Sequence, residues 1–189
     1  PEPMTPEAPL RYADAILDKP HNRLICVRED HRDEGHEPIN TIATVPLDGG
    51  EARVLVSGSD FYAVPRLSPD GSQLAWICWN HPNMPWDGTE LWIAPVQADG
   101  SLGEAEKIAG GLTESIFQPE WSPDGTLYFV SDRTNWWNLY RYRNGEIEAI
   151  CPKSAEFGLP LWVFGMTTYG FESAESLICT YVEEGIQYL

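Results

Sequence analysis

Basic residues are scarce in this chain. Lysine and arginine number 12 against 29 aspartates and glutamates in 189 residues, a formal charge of −17. A surface of that sign argues against nucleic acid and anionic membranes as partners, since both need clustered cations. The charge reads instead as solvation of exposed loops. Cysteine is also rare, with 4 residues at 26, 78, 151 and 179 and no CxxC spacing. That excludes a zinc ribbon and a disulfide framework, and it points to a reducing compartment, most simply the cytoplasm. No apolar run approaches the ~20 residues that span a bilayer, and no signal peptide is visible. The chain starts at Pro1 without an initiator Met, so an upstream targeting segment stays open. Finally, no G-x-S-x-G nucleophile turn occurs, and the scattered Ser, His and Asp residues fall into no triad order.

Aromatic residues, by contrast, are plentiful: 8 Trp, 8 Tyr and 6 Phe. Many of them fall in the stretch QPEWSPDGTLYFVSDRTNWWNLYRY at 118–142. Ser122-Pro123-Asp124-Gly125 is a tight turn: Pro presets φ, Asp bonds its own backbone, and Gly takes the left-handed conformation. Leu127-Tyr128-Phe129-Val130 reads as a strand buried on both faces. Alternation resumes at 139–142, and Asn144-Gly145 predicts a hairpin into 146–150. The unit recurs. Ser68-Pro69-Asp70-Gly71 repeats the tetrapeptide, and Leu24, Leu74, Leu127 and Leu177 fall 50, 53 and 50 positions apart. Four short strands repeated at this period predict an all-β, partial β-propeller of four-stranded antiparallel blades, three complete and most of a fourth.

The expected blades are A (12–57), B (60–109), C (115–151) and D (160–189), all within one domain, 1–189. Residues 1–10 are Pro-rich and expected to be irregular. Blade D is expected to open with an inner strand at 161–164, to continue with a second strand at 177–182, and to stop inside its third strand. Such an arc is too short to close a ring, so its open ends are expected to associate with another copy. Cys26 and Cys179 occupy equivalent second-strand positions and are expected to be small buried hydrophobes. The segments 28–40, 80–89 and 132–138 are long and chemically varied, and blade geometry puts them all on one face. Tight turns make up the other, so the long-loop face is the expected binding or docking face.

Three constellations stand on that face. His31, Asp33, Glu34 and His36 share one loop. Their spacing matches no ligand motif, so a solvated charged loop, not a metal site, is expected. His81, Asn83, Trp86, Asp87 and Glu90 lie on a Pro-stiffened loop. They either contact another domain and read a peptide amine, or plug their own loop. Asp132, Arg133, Trp136 and Trp137 offer an ion pair and an aromatic platform, or a staple to the neighbouring blade. The contact candidates are therefore His81, Asn83, Trp86, Asp87, Trp136 and Trp137, with no catalytic residue, metal or cofactor expected.

Several stretches together resemble the propeller of the prolyl oligopeptidase family of serine peptidases: SDFYAVPRLSPDG (59–71), HPNMPWDGTELW (81–92), FQPEWSPDG (117–125) and LYFVSDRTNWWNLYR (127–141). The acylaminoacyl-peptidase and dipeptidyl-aminopeptidase-like branch is the most similar. The resemblance implies a non-catalytic propeller that caps an α/β-hydrolase domain of the same polypeptide and restricts its substrates to short or N-blocked peptides. That domain carries the nucleophile, so no catalytic residue transfers to this chain. The alternative is a protein-binding scaffold like the Tol-Pal periplasmic propeller, which shares the SPDG repeat.

Overall fold

The computed structural model describes residues 3–189. Among them are sixteen strands and no helix. The first sheet is β1 (Leu10–Asp18), β2 (Arg23–Asp30), β3 (Ile39–Pro46) and β4 (Arg53–Val56), an antiparallel meander. The second is β5 (Phe61–Leu67), β6 (Gln73–Trp79), β7 (Glu90–Pro95) and β8 (Glu106–Gly110). The third is β9 (Ile116–Trp121), β10 (Leu127–Ser131), β11 (Asn138–Arg143) and β12 (Glu146–Ala149). The fold is all-β, and these sheets are successive blades of a partial propeller.

Blades stack face to face, and the second strands show why they need no alternation of apolar and polar residues. Along β6, Leu74, Trp76 and Cys78 enter the core shared with the first blade, while Ala75 and Ile77 enter the core shared with the third. Along β10, Leu127 and Phe129 face the second blade, and Tyr128 and Val130 face the fourth. Each strand is thus sandwiched between two cores, which requires apolar side chains on both faces.

The two SPDG turns form as the sequence predicts. Gly71 and Gly125 have φ of 73° and 81°, and each donates its N–H to the carbonyl of the turn's serine. The Ser68 hydroxyl donates to Asp70 Oδ1 at 2.6 Å and accepts from the Gln73 N–H at 2.9 Å. Hydrogen bonds from Ser68 and Ser72 hold the Asp70 carboxyl down at about 2.

In the first three blades the inner strand breaks register at one point. Asp14, Val64 and Gln118 adopt φ of 52°, 54° and 48°, beside bulges in β1, β5 and β9. A β-branched residue such as Val64 rarely takes that conformation, so the surrounding contacts impose it. Those contacts run between blades. Asp14 Oδ2 accepts the Val64 N–H at 2.6 Å. Gln118 Oε1 accepts the Thr168 N–H at 2.7 Å, its Nε2 donates to the Tyr169 carbonyl at 2.7 Å, and the Tyr169 hydroxyl donates back to the Gln118 carbonyl at 2.7 Å. Arg66 joins three inner strands: its Nε donates to Glu120 at 3.0 Å, and its Nη1 lies 3.6 Å from Asp14. Trp121 Nε1 donates to the Arg66 carbonyl at 3.0 Å.

The fourth blade departs from the sequence reading. No strand forms at 161–164, where Trp162 is 70% and Val163 65% exposed. The inner strand is instead β13 (Tyr169–Phe171), paired with β14 (Leu177–Cys179). The cause is that Gln118 captures Thr168 and Tyr169, while Trp162 turns outward onto Trp86. The expected second strand, 177–182, is split at Thr180, whose N–H bonds the Thr168 carbonyl. Beyond the split, β15 (Tyr181–Glu183) forms a tight hairpin with β16 (Ile186–Tyr188). Cys26 is buried, but Cys179 is only partly so and lines a cleft together with Cys151.

Replacing Gln118 with Ala orphans the buried Thr168 N–H, while the Tyr169 carbonyl keeps its bond from the Thr167 hydroxyl at 3.0 Å. The expected loss is about 1–3 kcal/mol for the orphaned group, seen as a lower urea midpoint with an unchanged m-value.

Candidate functional site

The long loops and the connections between blades converge, as the sequence geometry predicts, and enclose two clefts. The larger, 640 Å³, lies among the second, third and fourth blades. Trp86 comes from the β6–β7 loop, Asp132, Asn135 and Trp137 from the β10–β11 loop, and Glu156 from the connection after β12. The smaller, 330 Å³, lies between the first two blades and is lined by Glu29, Glu37, Asp60, Phe61 and His81.

Local structure explains how each side chain reaches its place. Asp132 Oδ1 accepts the Ser115 N–H at 2.7 Å, which ties the loop after β10 to the connection entering the same blade. Burial, with the Glu114 carboxylate as a smaller contributor, pushes the Asp132 carboxyl above its ordinary range. Trp137 stacks on Phe117 with centroids 6.2 Å apart, and its backbone N–H donates to Glu156 Oε2 at 2.9 Å. Glu156 is itself anchored by paired backbone hydrogen bonds with Val182 of β15. Gly158 is required beside it: a Cβ there would lie 2.6 Å from the Trp137 ring. Trp86 packs against Trp162 at 4.2 Å between centroids.

The six contact candidates do not form one site. Trp86 and Trp137 both line the large cleft. His81 belongs to the small one, 3.1 Å from Asp60 and 4.9 Å from the Phe61 ring. Asn83 donates to the Leu112 carbonyl, and Asp87 accepts the Met84 N–H, so both shape loops. Trp136 is exposed and lines neither cleft. Arg133 pairs with Glu114 at 2.8 Å, not with Asp132, and its guanidinium lies 4.9 Å from the Tyr140 ring centre. It is a staple to the blade connection. In the acidic loop after β2, His31 pairs with Glu29 and His36 with Asp33, so the four residues of that constellation do not converge. No cluster of three or more His, Cys, Asp or Glu placed to hold a metal occurs among the described residues.

Sequence reasoning missed Glu156, Gly158 and Trp162. They lie at 152–168, where no repeat equivalent exists to align them. The Trp137-Asn138 pair inside the third blade gives no hint of what will cover it.

The fold and this cleft define the class: a propeller that presents an acidic, tryptophan-walled cleft on its long-loop face. No protein-family profile matches the chain, and no curated protein matches it either. Solved structures do. A puromycin-hydrolyzing peptidase of Mycobacterium tuberculosis is 36% identical over 92% of this chain, with a TM-score of 0.82. A puromycin hydrolase is 34% identical over 99% of it, with a TM-score of 0.85. Prolyl oligopeptidase B of Galerina marginata is 13% identical over 96%, with a TM-score of 0.64, and shares the fold. This chain covers 28%, 32% and 27% of those three chains. The chain belongs to the prolyl oligopeptidase family and represents part of its propeller.

A half-buried carboxylate whose pKa burial raises, as at Asp132, opposes folding when charged. Asp132→Asn keeps an acceptor for the Ser115 N–H and removes that charge. It is expected to raise Tm at pH 7. In the native chain this cost is present above the raised folded pKa and vanishes below the unfolded one. The gain should therefore shrink as pH falls through the native carboxyl's titration. Thermal melts between pH 7 and pH 4 check this.

Proposed function

We propose that this chain is the non-catalytic, access-restricting propeller of a serine peptidase, acting on short peptides or aminoacyl amides. The observation that carries this reading is the 34–36% identity, over nearly the whole chain, to peptidases described as hydrolysing puromycin. The partner is an α/β-hydrolase domain of the same polypeptide, seated on the long-loop face. Leu112, Trp162 and Val163, exposed at 83%, 70% and 65%, supply apolar area there that such a domain would cover. The acylaminoacyl-peptidase and dipeptidyl-aminopeptidase-like branch and a cytoplasmic location belong to the same proposal. The location is supported by four cysteines that all remain free. No helix among the described residues is long and apolar enough to cross a membrane. Association of the arc's uncovered faces with a second copy is also proposed. It rests on exposed Leu17 and Val54 at one end and Ile178 and Ile186 at the other.

The mechanism is exclusion. A propeller admits only chains narrow enough to reach the loops around its axis, and it leaves bond cleavage to the partner domain. The scaffold alternative has no observation in its favour that the peptidase reading lacks.

The test is hydrolysis of aminoacyl-nitroanilides. The chain alone is expected to be inert. A polypeptide extended along its reading frame past Leu189 is expected to turn the substrates over and to be silenced by a serine-reactive inhibitor. Turnover by the chain alone contradicts the non-catalytic role. A downstream frame without G-x-S-x-G contradicts the peptidase.

A further inference from the structure

A third cleft, of 370 Å³, opens between the third and fourth blades and shares no lining residue with the large one. Two thiols, those of Cys151 and Cys179, line it. The fold turns both toward this one gap. Along β14, Ile178 is 54% exposed, while Leu177 and Cys179 turn the opposite way, into the core shared with the third blade. Cys151 follows β12 and packs against that same core from the third blade's side. Its position is set by Ile150, whose N–H donates to the Leu139 carbonyl at 2.9 Å. Cys179 is set by its pairing with Tyr169. Burial first, and the neighbouring Cys151 thiol second, push the Cys179 thiol above its ordinary value. The other two cysteines are sealed off. Cys26 and Cys78 are buried in the first two blades, and burial pushes the Cys26 thiol up to about 11. Cys26 holds the same repeat position as Cys179, so what sets Cys179 apart is the open cleft beside it and the second thiol on the wall.

We propose that Cys151 and Cys179 are a redox modification site, closing to a reversible disulfide when the protein meets hydrogen peroxide and so stapling the third blade to the fourth. One thiolate attacks a peroxide oxygen. An S–O bond forms, the O–O bond breaks, and the leaving hydroxide takes up a proton to become water. The other thiolate then attacks the sulfur of the resulting sulfenic acid. The S–S bond forms, the S–O bond breaks, and a second hydroxide leaves and is protonated. The two thiols lose two electrons and both protons, and the peroxide becomes two waters. A dithiol reductant reverses the step by exchange. Both thiols are free in the reduced chain. Such a bridge is therefore no structural framework; disulfides that form in reducing compartments are transient and redox-sensing. The loop it closes holds residues 152–178, with the crossover that carries Glu156, Gly158 and Trp162 and the inner strand β13. Linking the ends of that loop restricts the unfolded chain and holds the crossover against the third blade.

The bridge does not depend on the peptidase reading. The experiment treats the chain with a low molar excess of hydrogen peroxide and maps the unreduced peptides by mass spectrometry. A linked Cys151–Cys179 peptide, lighter by two hydrogens than the separate pair, is expected in monomer-sized chain, with Cys26 and Cys78 still thiols. The oxidised chain is expected to melt roughly 5–10 °C above the reduced one, and dithiothreitol is expected to restore the lower Tm. Cys151→Ser and Cys179→Ser each keep the size of a half-buried side chain. They are expected to melt close to the reduced parent and to gain nothing from peroxide. Sulfinic acids at the two positions without a linked peptide would overturn the pairing, as would a bridge between two chains. A linked chain that melts no higher, or a serine variant that gains the same Tm, would overturn the staple. The mapping uses the unaltered chain, so it decides the pairing even where a variant folds poorly.

Discussion

In the first three blades of this propeller the inner strand is broken at one residue held in the left-handed region, and these breaks are what join the blades. A regular strand would point its backbone N–H groups only at its own sheet. At Asp14 and Gln118 the chain reverses locally, and the side chain reaches the inner strand of the following blade. Hydrophobic stacking between sheets has no direction of its own, so it fixes neither register nor angle between blades. The directional bonds from Asp14 and Gln118, with Arg66 bridging to Glu120, supply both. Val64 holds the same strained conformation without a polar side chain; it is held because Asp14 captures its N–H.

The cleft follows from that arrangement. Gln118 draws Thr168 and Tyr169 into the fourth blade's inner position, so residues 152–168 must cross over the third blade to get there. On the way Glu156 meets the Trp137 N–H, Gly158 passes over the indole, and Trp162 closes on Trp86. A carboxylate and two aromatic walls are thus brought together by three segments that share no sequence motif. Asp132 is only half-buried there, and its carboxylate accepts the Ser115 N–H.

What was legible in the sequence is what repeats. The SPDG turns, the spacing of Leu24, Leu74, Leu127 and Leu177, and the doubly apolar second strands gave the blades, because each reflects a local period that a reader can count. The long-loop face followed from strand direction. The fourth blade's inner strand was misplaced because 161–164 is apolar and looks like a core strand, while the residues that do the pairing, Thr168 and Tyr169, are picked out by Gln118 fifty residues away. Trp86 and Trp137 were readable as candidates from composition alone. Their division from His81, Asn83, Asp87 and Trp136 was not, since it depends on which neighbour each loop leans against. Glu156 carries no local signal at all.

Because the whole account depends on the inter-blade bonds at the strand breaks, amide hydrogen exchange at Val64 and Thr168 tests it most directly. Neither amide is placed to bond within its own sheet's ladder, and each donates to the side chain of another blade. If those bonds hold the propeller together, both amides exchange as slowly as those of β6 and β10. If they exchange at the rate of the loops, the blades are held by stacking alone, and the breaks in the inner strands do not set the geometry of the cleft.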